Sequence, residues 1–507
     1  MAAAGGLVAG IAFPPGIPGL GMLPGWAAYA AAIIGLALLL RGCVGARIGV
    51  SLLAGLAYGL TFFGFTVQWV TVIAAYATLA LIVFQALYYA GFALLVSRVS
   101  RLPGFPLWAA CCMTLMEAVR GHWLLGGFTW GRLGYLAVDT SAAGLARFGG
   151  EVLTTFCLVL AAAMVALATL GRLRWTLGAV VVVAAPLLAG PVVPMFTTTA
   201  GGSVVGYVQG SVPGEGLDFL GRARTVTRNH LEGTKVLMQQ VRSGALPAPA
   251  LVLWPENSTD LDATTDAPSR AMVDEAATTA GVPLVIGTVL NGPGPDNVRN
   301  ASMVWDPETG PGSIYVKRHL VPFGEYVPWR SVLVPRIPLL ELVGRDMVAG
   351  TASGRLDVAG VPIGTMLCFD TAYADSSRDD VREGARLLTV QTNNATYTGT
   401  AQPDQQWQIT RFDAVTVGRD VVVVSTNGRS GVIAADGTTL HELPVVKQAV
   451  DSRAVTLRTG LTPAVRIEPG LEAGLATVAA FASLVGCLRR GSVRARRLRS
   501  ADPAIEQ

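Results

Sequence analysis

Val361-Pro-Ile-Gly-Thr-Met-Leu-Cys368-Phe-Asp370 is an apolar run that stops on a thiol, the single cysteine of the long polar stretch between two membrane-like regions. A lone cysteine has no disulfide partner, and it is either a small buried hydrophobe or a nucleophile. Two runs upstream weigh toward the nucleophile: Leu251-Val-Leu-Trp-Pro-Glu256 and Tyr315-Val-Lys317. Each carries a charged side chain to the end of a β-like run. A carboxylate, an amine and a thiol placed this way are the parts of a Glu-Lys-Cys nucleophilic site.

Working outward, similar short β-branched runs recur at 204–208, 283–286, 302–305, 313–316, 387–391 and 421–425, with helical patterns near 218–243, 267–280 and 403–418. Strands interspersed with helices indicate a layered α/β domain. Asn257, Asn300 and Asn394 each open an N-x-Ser/Thr tripeptide, which chance produces often, and they receive no functional weight.

The remainder of the chain is of a different kind. Of 507 residues 51% are hydrophobic and 14% charged, and the mean hydropathy of +0.49 is too high for a soluble protein of this size. Up to Pro194 the acids are Glu117, Asp139 and Glu151 alone. Apolar stretches suited to crossing about 30 Å of hydrocarbon occur near 24–41, 47–67, 70–97, 105–121, 152–171, 175–196 and 471–488. The shorter one at 2–14, which has no basic n-region of a cleaved signal peptide, is expected to be a tilted or partial first span. With eight spans, Arg41 and Arg47, Arg98 and Arg101, Arg172 and Arg174, and the arginines from Arg489 to Arg499 all fall on one side. That is the cytoplasmic side by the positive-inside rule. The expected division is therefore 1–200, a polytopic α-helical membrane domain with about seven transmembrane helices; 201–465, an extracytoplasmic α/β domain; 466–490, a final transmembrane helix; and 491–507, a basic cytoplasmic tail. The tail reads as a membrane flank rather than a nucleic-acid site. Glu117 and Arg120, three apart on the fifth span, are either a functional pair or a structural pair snorkelling to the interface.

Trp254-Pro255-Glu256, the run Lys317-Arg-His319-Leu-Val-Pro322-Phe-Gly324-Glu325-Tyr-Val-Pro328, Cys368-Phe-Asp370, Asn393-Asn394 and Thr426-Asn427-Gly428 resemble the nitrilase-type domain of the apolipoprotein N-acyltransferase family. Ala12-Phe-Pro-Pro15 and the segment from Glu117 through Gly127-Phe-Thr-Trp130-Gly to Tyr135 are similar to that family's N-terminal region. The resemblance implies a membrane-embedded member of the carbon-nitrogen hydrolase superfamily with an α-β-β-α sandwich. Two departures stand out. The family usually reads Cys-Tyr-Glu where this chain has Cys368-Phe369-Asp370, and its Trp after a Gln-Gly-Asn element is missing after Gln209-Gly-Ser, Phe219 being the nearest aromatic.

In the chemistry implied, Glu256 is the general base, Lys317 stabilises the thiolate and the oxyanion, and Cys368 is the nucleophile, with Glu325, Phe369 and Asp370 in support. Lysine is scarce here, only Lys235, Lys317 and Lys447, so Lys317 stands out from a chain that writes its cations as arginine. The apolar segment 327–343, with Trp329 and Leu339, reads as a mobile lid over a lipid site or as an arm packed on the domain. The resemblance supplies a phospholipid acyl donor and a diacylglyceryl-cysteine apolipoprotein acceptor, with no metal or organic cofactor, in a bacterial cell membrane. A membrane-anchored amidase with water as acceptor is the alternative, and a transporter with an accessory domain a more distant one.

Overall fold

The computed structural model describes residues 1–15, 21–171, 173–212, 224–445 and 447–501. Arg172, Phe219 and the last residues of the tail, 502–507, lie outside the described residues. Contacts divide the chain into two compact units, one built from Met1–Leu145, Glu151–Val192 and the chain from Ile467 onward, the other from Ala146–Gly150 and Val193–Arg466.

The first unit is helical: α1 (Ala2–Gly10), α2 (Gly25–Cys43), α3 (Ile48–Thr66), α4 (Ala75–Val99), α5 (Phe105–His122), α6 (Ala146–Ala168), α7 (Leu173–Ala189) and, much later in the chain, α13 (Pro463–Ala501). Among the described residues, six helices are long and apolar enough to cross a membrane. The expected first span is not one of them. Nine residues rise only about 13 Å at ~1.5 Å per residue, and α1 instead packs its buried glycines, Gly5, Gly6 and Gly10, inside the bundle. Thr61 of α3 donates to the Ala3 carbonyl there (2.9 Å). α5 is also outside the six, because Glu117 and Arg120 interrupt its apolar run. Neither residue snorkels: Arg120 is 0% and Glu117 3% exposed. Arg120 holds Glu117 Oε2 with Nε (3.1 Å) and Nη2 (2.6 Å), and its Nη1 donates to the carbonyls of Phe128 and Trp130, both at 2.8 Å.

The second unit contains two sheets. The first comprises β1 (Thr198–Gln209), β2 (Leu251–Leu253), β3 (Leu284–Asn291), β4 (Asn297–Asp306), β5 (Gly310–Val316), β6 (Asp346–Met347) and β13 (Ala449–Thr459), in the order β13-β1-β2-β3-β4-β5 with β6 beside β4. The second comprises β7 (Arg355–Val358), β8 (Val361–Leu367), β9 (Leu387–Thr392), β10 (Val421–Ser425), β11 (Gly431–Ile433) and β12 (Thr439–Glu442), in the order β12-β11-β10-β9-β8-β7. The centre of each sheet is parallel (β1-β2-β3 and β8-β9-β10) and the flanks antiparallel, apart from the short β6, which runs parallel to β4. Parallel strands are buried on both faces, and every residue of β8, β9 and β10 is buried, including the polar Thr365, Thr389, Gln391 and Thr392.

Three apolar clusters order the layers. Leu253, Val285, Ile363, Leu367 and Val424 meet between the sheets. Val252, Trp254 and Ile286 pack under α8 (Thr225–Arg242) and α9 (Ala267–Ala280), and Met366, Leu388 and Val390 under α11 (Ala374–Arg382) and α12 (Gln402–Val417). The result is the α-β-β-α sandwich.

Candidate active site

The three expected functional side chains leave the ends of three strands. Glu256 follows β2, Lys317 follows β5 and Cys368 follows β8. Glu256 and Lys317 thus come from the first sheet and Cys368 from the second. Cys368 opens a short 3₁₀ turn, Cys368–Ala372, with φ +46°. A non-glycine residue held in this left-handed region costs about 1–3 kcal/mol, and the turn is fixed by the Gln406 amide, which donates to the Cys368 carbonyl (3.0 Å).

Lys317 is 1% exposed, and its Nζ lies 2.9 Å from Glu256 Oε1 and 2.9 Å from Glu325 Oε1. The amide of Asn300 donates to the same two oxygens, at 2.8 Å each. The second oxygen of Glu256 accepts from the Asn393 N–H (2.9 Å), and that of Glu325 from the Val321 N–H (2.7 Å). Every carboxylate oxygen in the cluster therefore has a donor, which is what makes a buried charge cluster tolerable. Burial pulls the Lys317 ammonium down, but Glu256 and Glu325 outweigh it and hold its pKa well above the ordinary value. Burial raises Glu256 above the ordinary carboxylate range against the pull of Lys317. The Cys368 thiol is pushed up to about 12, first by burial and then by Glu256, with Lys317 opposing. At neutral pH Cys368 is therefore a thiol, and any attack by it requires a proton acceptor; a buried carboxylate of raised pKa is a competent one.

Asp370 stands apart from this cluster. Its Oδ2 accepts from Tyr315 Oη (2.7 Å) and the Leu367 N–H (3.0 Å), and its Oδ1 from the His319 N–H (3.0 Å). It thereby ties the residue before Cys368 to the segment around Lys317. Phe369 is 8% exposed and meets Tyr373 edge-on (5.3 Å). Tyr373 in turn stacks on His319 at 3.9 Å, and His319 Nε2 reaches Asp375 at 3.1 Å. In the 327–343 arm, Trp329 is 59% exposed and heads the short helix α10 (Arg330–Leu333), while Leu339 is partly covered. Arg330 pins the arm to the domain through Asp346 (2.6 and 2.9 Å).

Asn300 is the residue the sequence reading passed over. Its side chain is 1% exposed and bridges both catalytic-cluster carboxylates. Asn300 lies in β4, the strand paired with the β5 run that ends at Lys317, just before the 302–305 run, and its sequon drew attention away from it. Asn394, 2% exposed and donating to Gln406 Oε1 (3.0 Å), is likewise an interior residue. Tyr397, on the turn after Asn393, also belongs to the neighbourhood: burial raises its hydroxyl, and the Cys368 and Glu325 charges add to this.

Two sheets with this strand-end constellation define a carbon-nitrogen hydrolase domain, and residues 234–458 match the Carbon-nitrogen hydrolase model. Residues 5–164 match that of the Apolipoprotein N-acyltransferase N-terminal domain. The apolipoprotein N-acyltransferase of Mycolicibacterium smegmatis is 33% identical, with 98% of this chain and 86% of that protein covered. That of Azotobacter vinelandii is 30% identical, covering 94% and 93%, and that of Methylococcus capsulatus 28% identical, covering 85% and 86%. The chain belongs to the apolipoprotein N-acyltransferase family.

Proposed function

We propose that this protein is an acyltransferase that moves a fatty acyl chain from a phospholipid, through a thioester on Cys368, to the N-terminal amine of a diacylglyceryl-cysteine lipoprotein. Both substrates are membrane-held, which gives a chain with six helices, among the described residues, long and apolar enough to cross a membrane a reason to carry a hydrolase-type domain. The domain acts on the extracytoplasmic side of a multi-pass bacterial cell-membrane protein, as the arginine distribution favours.

In the first half-reaction Glu256 takes the Cys368 proton as Sγ attacks the ester carbonyl. Lys317 holds the oxyanion of the tetrahedral intermediate, and its collapse breaks the ester C–O bond. The departing lysophospholipid oxygen recovers the proton from Glu256. In the second half-reaction the acceptor α-amine attacks the thioester, Glu256 takes the amine proton, and collapse breaks the C–S bond and returns that proton to Cys368. Glu325 shares Lys317 with Glu256, so the ammonium stays charged while Glu256 is protonated. Asp370 positions the turn, and Phe369 contributes packing in place of the family's tyrosine. The exposed Trp329 and the apolar arm behind it cover the lipid.

The single observation that carries this reading is the placing of Lys317 Nζ at 2.9 Å from two carboxylates that leave the first sheet, facing a strained cysteine that leaves the second. The test is mass spectrometry of a diacylglyceryl lipopeptide incubated with the full-length protein and phosphatidylethanolamine. An added amide-linked acyl chain on the lipopeptide is expected; release of free fatty acid with an unmodified lipopeptide would instead identify a hydrolase that uses water.

A further inference from the structure

Gln391, in β9, is completely buried. Alternate residues of a strand face opposite ways. Leu387 belongs to the layer between the sheets and Leu388 and Val390 to the helix side, so Gln391 faces the first sheet. Its Nε2 donates across the sandwich to the carbonyls of Trp254 (2.6 Å) and Val285 (3.1 Å). Both acceptors are carbonyls, so the amide orientation is determined. Its Oε1 has no hydrogen-bond partner among the described residues.

That combination makes a poor stabiliser. A buried amide oxygen without a donor is costly, and an apolar side chain of equal volume would avoid the cost. What the amide does supply is a fixed distance. Trp254 precedes Pro255-Glu256, so the bracket grips the strand end that carries the base. On the other side Thr392, the next residue, donates to Gln406 Oε1 (3.1 Å), whose amide donates to the Cys368 carbonyl (3.0 Å), and the Asn393 N–H holds Glu256 Oε2 (2.9 Å). We propose that Gln391 is a positioning residue that sets the separation of Glu256 and Cys368 by tying the sheet that carries the base to the sheet that carries the nucleophile. The inference rests on the Glu256-Lys317-Cys368 reading.

A misplacement of about 1 Å between reacting groups can cost up to ~10²-fold in rate. With full-length protein in detergent micelles, phosphatidylethanolamine and a diacylglyceryl lipopeptide, Gln391→Met keeps the volume and removes both donors. It is expected to lower kcat by ~10- to 100-fold while leaving KM for the lipopeptide within about two-fold, and to slow iodoacetamide alkylation of Cys368. Thr389→Val is the control. Thr389 is the next residue inward on the same face of β9, and its hydroxyl pairs with Thr365 of the same sheet (3.0 Å), with no bond across the sandwich. It is expected to change neither kcat nor alkylation. Gln391→Asn, which withdraws the amide by one methylene, serves as the second probe if the Met variant misfolds, with the same fall in kcat expected. A kcat within two-fold of the parent in a folded Gln391 variant, or an equal fall in Thr389→Val, overturns the bracket. Cys368→Ala separates the two readings: transfer retained in that variant defeats the triad itself, whereas an inactive Cys368→Ala beside a normal Gln391→Met defeats the bracket alone.

Discussion

The two units of this chain each bury a cluster of glutamates around cations, and they choose different cations. In the membrane unit Arg120 spends its fork on Glu117 and two carbonyls, and Arg132 bridges Glu117 (3.3 Å) and Glu151 (2.9 Å). In the catalytic unit Lys317 presents a point charge to Glu256 and Glu325. A guanidinium has five donors in a rigid plane, whereas an ammonium has three that rotate about a single nitrogen. The arginine cluster suits a fixed scaffold; the lysine cluster suits the charge that appears and disappears in the proposed reaction.

Exchanging that property should have the largest effect. Lys317→Arg keeps the positive charge but replaces the compact donor with a plane on a longer stem. Losing one oxyanion donor costs about 3–4 kcal/mol, so transfer at least ~100-fold slower is expected from a normally folded protein. Near-normal turnover would mean that Lys317 supplies only diffuse positive potential. Asp370→Asn should be milder, because one oxygen still accepts while the other is replaced by an amide NH2 that opposes its N–H or Tyr315 partner. A loss of ~10-fold in kcat fits a small displacement of the turn, and an unchanged kcat would remove Asp370 from the positioning set.

Trp329→Asp should matter only for lipid. We expect transfer between membrane substrates to fall several-fold while iodoacetamide alkylation of Cys368 is unchanged; equal losses would indicate damage to the domain. The smallest effect on rate belongs to the scaffold. Glu117→Gln leaves Arg120 without a buried counter-charge and Arg132 with Glu151 but without Glu117, and an uncompensated buried charge is strongly destabilising in general. The yield of folded protein should drop while turnover per folded molecule stays put, and a rate loss at full yield would give Glu117 a part in the reaction.

pH supplies a further measure. The Cys368 thiol is pushed up to about 12, so its thiolate fraction grows with pH throughout the neutral and mildly alkaline range. Without substrate, alkylation should rise ~10-fold per pH unit between about pH 7 and 9 with no plateau. A plateau near neutrality would mean that Lys317 has already drawn the proton off.

The contrast between the units also explains what could be read from the sequence. Strand ends were legible, since β2, β5 and β8 are apolar runs that stop on Glu256, Lys317 and Cys368 within one to three residues. Lys317 was conspicuous because lysine is rare in this chain. Among the described residues six of the expected spans are helices long and apolar enough to cross a membrane, whereas α1, with nine residues, and α5, interrupted by Glu117 and Arg120, are not. Long-range partners were illegible. Asn300, Gln391 and the Tyr315–Asp370 bond join residues 25 to 137 positions apart, and no local pattern marks which interior polar residue will meet which carbonyl or carboxylate.

The covalent relay through Cys368 is the central claim, and intact-protein mass spectrometry tests it most directly. Full-length protein incubated with phospholipid and no acceptor should gain one acyl mass on the Cys368 peptide. Hydroxylamine, or the later addition of a diacylglyceryl lipopeptide, should remove it. An unmodified Cys368 in protein that nevertheless acylates the lipopeptide would contradict the account.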